Sequence, residues 1–101
     1  MYRERIHMTV RDHDGWNTAI DATREINAIC TRLNLPTALL WSETVGTFNQ
    51  LTWDIDYETL ASYEKAQAAL RSDGDWNKQV RRITEAAEPG KGFTELLETV
   101  S

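Results

Sequence analysis

The stretch Trp41-Ser42-Glu43-Thr44-Val45-Gly46-Thr47-Phe48-Asn49-Gln50-Leu51-Thr52-Trp53-Asp54-Ile55-Asp56 decides the fold. Its second half alternates, with Leu51, Trp53 and Ile55 on one side and Gln50, Thr52 and Asp54 on the other. That two-residue period is the mark of a strand with one apolar face. Thr37 to Thr44 and Phe48 to Asp56 thus form two strands meeting at a turn around Val45-Gly46-Thr47, a hairpin.

Helical patterns flank the hairpin on both sides. Upstream, Asp12-His13-Asp14-Gly15 opens a segment in which Trp16, Ala19, Ile20, Ile26, Ile29, Cys30 and Leu33 recur at three- and four-residue steps. Asp14 or a neighbour caps its start, and Asn34-Leu35-Pro36 stops it, because proline restricts the residue before it and lacks a backbone donor. Downstream, Asp56 is positioned to cap a helix over Tyr57 to Arg71 with a stripe of Leu60, Tyr63, Ala66 and Leu70. Ser72-Asp73-Gly74-Asp75 interrupts it as a turn plus N-cap. A short helix carrying Trp76, Val80, Ile83 and Ala87 then ends before Pro89-Gly90. Glu4 to Val10 at one end of the chain, with Ile6, Met8 and Val10 on its apolar side, and Phe93 to Val100 at the other supply the remaining strands.

The order strand, helix, hairpin, helix pair, strand is that of a ferredoxin-like βαββαβ protomer, an α+β fold. It predicts a four-stranded antiparallel sheet with the first and third strands central and the helices on one face. At 101 residues the chain fits a single domain, 1–101, with one thin core. The uncovered face carries Arg5, His7, Thr9, Gln50, Thr52 and Asp54, with large apolar groups from the flanking strands such as Leu40 or Trp41. A face of that size needs cover. A two-fold homodimer packed sheet on sheet is the economical solution.

Composition removes several classes of partner. Eleven Lys plus Arg against sixteen Asp plus Glu leave a formal charge of −5, with basic residues scattered among acidic ones. A phosphate-backbone binder needs a clustered positive surface, so nucleic acid is not expected. No apolar run reaches the roughly 20 residues of a membrane span, and the first ten residues alternate charge with apolar groups where a signal peptide is continuously hydrophobic. The expected location is cytoplasmic, with no membrane partner. Cys30, the lone cysteine, lies in a helical apolar pattern and reads as a small buried hydrophobe rather than a nucleophile.

Candidate chemistry centres on His7. On a central strand opposite Ile6 and Met8 it points to the uncovered face, where Asp54 can share its surroundings. A carboxylate beside an imidazole raises its basicity and fixes its tautomer, as a general base requires; the simpler reading is an interface hydrogen bond. Arg5, Thr9, Gln50 and Thr52 are the other polar groups available to line a ligand pocket, or to form cross-strand pairs. Trp41 can serve as core, interface or pocket wall, depending on which face of the second strand turns inward. The donors of Asp12-His13-Asp14-Gly15 lack the spacing of a calcium loop or zinc site, and Pro89-Gly90-Lys91-Gly92-Phe93 is too short for a nucleotide loop. Neither a metal nor a cofactor is expected.

Three segments together, Trp41 to Trp53, Asp56-Tyr57-Glu58-Thr59-Leu60-Ala61-Ser62-Tyr63-Glu64, and Leu70-Arg71-Ser72-Asp73-Gly74-Asp75-Trp76, resemble the NIPSNAP-like branch of the dimeric α+β barrel superfamily. The resemblance covers the middle half of the chain. Its most telling parts are the hairpin Gly46 to Asn49, Trp53, and the step from Asp73 to Trp76. It implies a ferredoxin-like protomer and a homodimer whose two sheets close into a barrel. Members of the superfamily include oxygenases, haem degraders and isomerases, together with proteins of no assigned activity, so fold analogy selects no reaction. The haem-degrading members carry a histidine on the helical segment after the third strand, whereas this chain has none beyond His13.

These readings lead to a homodimeric protein that binds a small, partly apolar molecule between its sheets. The alternative is a cofactor-independent monooxygenase or isomerase with His7 as general base and Asp54 as its orienter. A purely structural domain with a filled barrel is the third.

Overall fold

Alternation along Tyr2–Thr9 forms strand β1, which turns Glu4, Ile6 and Met8 to one side and Arg3, Arg5, His7 and Thr9 to the other. The remaining elements of the computed structural model, which describes residues 1–43 and 48–100, are α1 (His13–Arg32), β2 (Leu39–Ser42), β3 (Gln50–Tyr57), α2 (Leu60–Arg71), α3 (Gly74–Ala86) and β4 (Phe93–Glu98). The strands lie in the order β2-β3-β1-β4, all neighbours antiparallel, so the first and third are central as the split βαβ reading requires. The turn expected around Val45-Gly46-Thr47 lies outside the described residues.

Local chemistry sets the element ends. Asp12 caps α1 by accepting the Gly15 N–H at 2.7 Å. At the other end Asn34 takes a left-handed φ of 58°, with Asn34 N–H bonded to the Thr31 carbonyl and Leu35 N–H to that of Cys30. This double bond pattern closes the helix before Pro36 is reached. The Asn27 side-chain amide then clamps both backbone groups of Ala38 at 2.8 and 2.9 Å, fixing the approach to β2. The second helix begins later than its pattern predicts. Thr59 rather than Asp56 is the N-cap, in a capping box with Ser62, and Tyr57 is the last residue of β3. The reason is competition: Arg3 holds Asp56 through bonds of 2.7 and 2.9 Å across β1 and β3, and the Tyr57 side chain is buried. Asp73 caps α3, as its turn predicts, by accepting the Trp76 N–H.

The helices cover one sheet face, and the apolar packing there divides. Met8, Val10, Ala19, Leu51 and Trp53 form one buried cluster, joined by Leu40. Ile29, Cys30 and Leu70 form another, joined by Trp76. The single thin core expected from length is therefore two clusters, and a cavity lies between them. Leu40 belongs to this side, not to the uncovered face. The β2 to β3 register sets it opposite Trp53 and turns Leu39 and Trp41 outward. No helix among the described residues is long and apolar enough to cross a membrane.

Candidate functional site

The uncovered face is a polar centre with an apolar rim. Register places Leu39, Asp54, Arg5 and Glu95 in one row across the four strands, and Trp41, Thr52, His7 and Phe93 in the next. Trp41 is 51% exposed and Phe93 57%. Asp54, by contrast, is only 6% exposed although no described helix lies over it. Arg5 covers it with two bonds of 2.8 and 3.1 Å, the Trp41 indole N–H donates to it at 3.0 Å, and Arg3 stands 3.7 Å away. Those donors hold the Asp54 carboxyl below the usual range, the Arg5 bond foremost, despite its burial.

His7 belongs to a second group on the same face. Its ring stacks on Phe93 with centroids 4.2 Å apart, and its Nε2 lies 2.7 Å from a Glu95 carboxylate oxygen. Nδ1 is 3.4 Å from Gln50 Nε2 and 3.5 Å from Thr52 Oγ1. An Nε2–H donated to Glu95 leaves the Nδ1 lone pair as the acceptor in this network. Of the residues singled out from sequence, Asp54, Arg5 and Trp41 thus form one cluster, and His7, Gln50 and Thr52 another. Thr9 faces Gln50 in register, and its carbonyl accepts the Glu88 N–H. The expected pairing of Asp54 with His7 is replaced. Asp54 sits opposite Arg5, whose guanidinium takes both its oxygens, and the carboxylate that reaches His7 is Glu95 from β4.

The cavity lies on the opposite side of the sheet, between strands and helices, has a volume of about 480 Å³ and is partly open to solvent. Ile6 and Trp53 from the sheet, Ile26 and Cys30 from α1, and Trp76 and Val80 from α3 give it apolar walls. One end differs. Glu4, Tyr57 and Gln67 line it there, and Glu4 is only 8% exposed. Its carboxylate accepts a long bond of 3.5 Å from the Tyr63 hydroxyl, whose ring meets that of Tyr57 edge-on. Burial raises the Glu4 carboxyl above its ordinary range, outweighing the bonds from Tyr63 and Gln67 that favour its charged form. Burial likewise pushes up the Tyr57 hydroxyl and the Cys30 thiol, which keeps the thiol protonated and inert.

Sequence reasoning missed Glu4 and Glu95. The signal for Glu4 was present, since the alternation that puts Ile6 and Met8 on the helix side puts a carboxylate two residues earlier on that same side. Glu95 follows only from the β1 to β4 register, which sets it opposite Arg5 and leaves it within reach of His7.

Sheet order and helix layer define a ferredoxin-like α+β protein. Comparison with solved structures agrees. An uncharacterized NIPSNAP domain protein from Burkholderia xenovorans superposes with a TM-score of 0.81 at 17% identity, over 100% of this chain and 96% of its own. A NIPSNAP family protein from Agrobacterium tumefaciens gives 0.76 at 15%, over 98% and 92%. An antibiotic biosynthesis monooxygenase gives 0.75 at 11%, over 100% of both chains. At these identities the likeness is one of fold alone. No curated protein matches the sequence. The chain belongs to the NIPSNAP family, whose profile matches residues 15–88.

Proposed function

We propose that this NIPSNAP-family chain binds a small, largely apolar molecule in the cavity between its sheet and its helices, and that it does so as a homodimer. The observation that carries the reading is the cavity itself. About 480 Å³ with apolar walls and a few polar groups at one end is within the size range and of the composition usual for small-molecule sites. The chain forms this space without a second copy, so the ligand is assigned to the helix side of the sheet rather than to the space between two sheets. The homodimer rests on the other face, where Leu39, Trp41, Phe93 and Leu97 are all exposed around a charged centre.

A thermal-shift screen with ring-sized apolar compounds tests the binding site. Compounds that bind the folded state raise its melting temperature. Val80→Trp fills the cavity from α3 and removes the shift, whereas Trp41→Phe on the far face preserves it. Equal shifts in the Val80→Trp protein place the ligand elsewhere.

A second reading, a cofactor-independent monooxygenase or isomerase, draws on one observation, the 2.7 Å contact between His7 and Glu95. A histidine oriented by a carboxylate is the arrangement of a general base. In that reading Glu95, not Asp54, is the orienter. His7→Ala abolishes turnover of any substrate found if His7 is the base, and unchanged turnover removes the assignment.

A further inference from the structure

Among the described residues, Glu4 has no counter-ion, and it stands at the end of an apolar cavity. It is 8% exposed, its hydroxyl partner is 3.5 Å away, and neither lysine nor arginine is among the residues lining the space. Among the described residues, the one basic residue bordering the cavity is His7, and its ring lies on the opposite face with Nε2 on Glu95. Tyr63 and Gln67, both from α2, are the hydrogen-bonding neighbours of Glu4, and both are neutral. Charged side chains are almost never this deeply buried unless paired. Elsewhere in this chain the rule holds: Asp54, equally buried, has two guanidinium groups on it.

Aromatic rings sharpen the chemistry. Trp53, Tyr57 and Trp76 all line the same cavity, and ring faces attract cations through their quadrupole. An ammonium group set against Glu4 gains a charge-assisted hydrogen bond and meets aromatic surface, while an attached hydrocarbon body fills the apolar remainder. An anionic ligand meets the reverse, a like charge in a space of low polarity.

Building on the small-molecule reading above, we infer that the cavity selects an amine, a molecule with one protonated nitrogen on an apolar, ring-sized body, and that Glu4 is the residue that recognises it. The inference names the ligand's chemical class and its orientation, with the nitrogen toward α2 and the body between Trp53 and Trp76.

Three probes of one shape test it: 2-phenylethylamine, 2-phenylethanol and phenylacetate, titrated calorimetrically into the full chain at pH 7.5. The amine is expected to bind about tenfold more tightly than the alcohol, with phenylacetate weakest, as a charge-assisted bond in a buried site requires. In Glu4→Gln the amine and the alcohol converge to within about twofold. Alcohol binding as tight as that of the amine in the unsubstituted chain overturns the inference and leaves the cavity reading standing; that comparison needs no variant to fold. An amine preference that persists in Glu4→Gln overturns the role of Glu4. Absence of binding by all three probes overturns the cavity reading and the inference with it.

Discussion

Arg5 and Asp54 lie opposite one another on the two central strands and are joined by two bonds of 2.8 and 3.1 Å. Arg5 roofs a carboxylate on a face that no described helix covers and, together with the Arg3–Asp56 pair, ties β1 to β3 through side chains as well as backbone bonds. Paired guanidinium and carboxylate groups with this two-point geometry are the strong form of the interaction.

Replacing Asp54 with Ala removes acceptors from Arg5 and from the Trp41 indole at once. A loss of about 1 kcal/mol in folding stability is expected, because the Arg5 and Trp41 donors are part-exposed and turn to water once the carboxylate is gone. Urea unfolding of Asp54→Ala, Arg5→Met and the double variant measures it, and the double variant should lose less than the sum of the two.

Glu4 and Asp54 give stability opposite dependences on pH. The Arg5 bond lowers the Asp54 carboxyl, so its contribution is present above the unfolded value of about 3.9 and is lost as pH falls through the folded one. Burial raises the Glu4 carboxyl, so the folded state holds that proton more tightly. Its effect is neutral at low pH, and stability falls as pH rises from about 4.3 toward the raised folded value. Glu4→Gln should therefore gain stability relative to the unsubstituted chain as pH rises above about 4.3, which denaturation at a series of pH values reads directly.

Thr23 links α1 to β3. Its hydroxyl accepts the Trp53 indole N–H at 2.8 Å and donates to the Ala19 carbonyl at 2.7 Å, with all three residues buried. Thr23→Val keeps the shape and strands the indole donor, at an expected cost of about 1–3 kcal/mol. Thermal unfolding reads this loss, and a Trp53→Phe background should abolish most of it.

The uncovered face makes a prediction about mass. Light scattering at micromolar concentration is expected to return two chains per particle. Leu39 stands opposite Asp54 and Leu97 opposite Arg3, so Leu39→Lys and Leu97→Glu each place a charge beside its opposite while making the face polar. The doubly substituted chain should remain folded and scatter as one. A single-chain mass before substitution removes the homodimer.

Much of the fold was legible because periodicity and punctuation agreed. Alternation from Gln50 to Ile55 and helical spacing from Trp16 to Leu33 each point to one element type, and their order leaves few topologies. Boundaries drifted where side chains were claimed by distant partners, as when Arg3 took Asp56 and left the cap to Thr59. The candidate site was legible only in part. Alternation assigns His7, Thr52 and Asp54 to one face, but which carboxylate reaches His7 depends on the stagger between strands far apart in sequence. The cavity lies further from the sequence still, because it is the gap left where two apolar clusters fail to meet, and no single pattern encodes a gap.

Where a ligand sits is the central claim, and an amide NMR titration of the full chain with 2-phenylethylamine tests it most directly. The expected result is saturable shift changes at Cys30, Gln67 and Val80, which border the cavity from three helices, with Trp41 and Glu95 on the uncovered face unmoved. Changes confined to Trp41, Thr52 and Glu95 would contradict it and return the ligand to the space between two sheets.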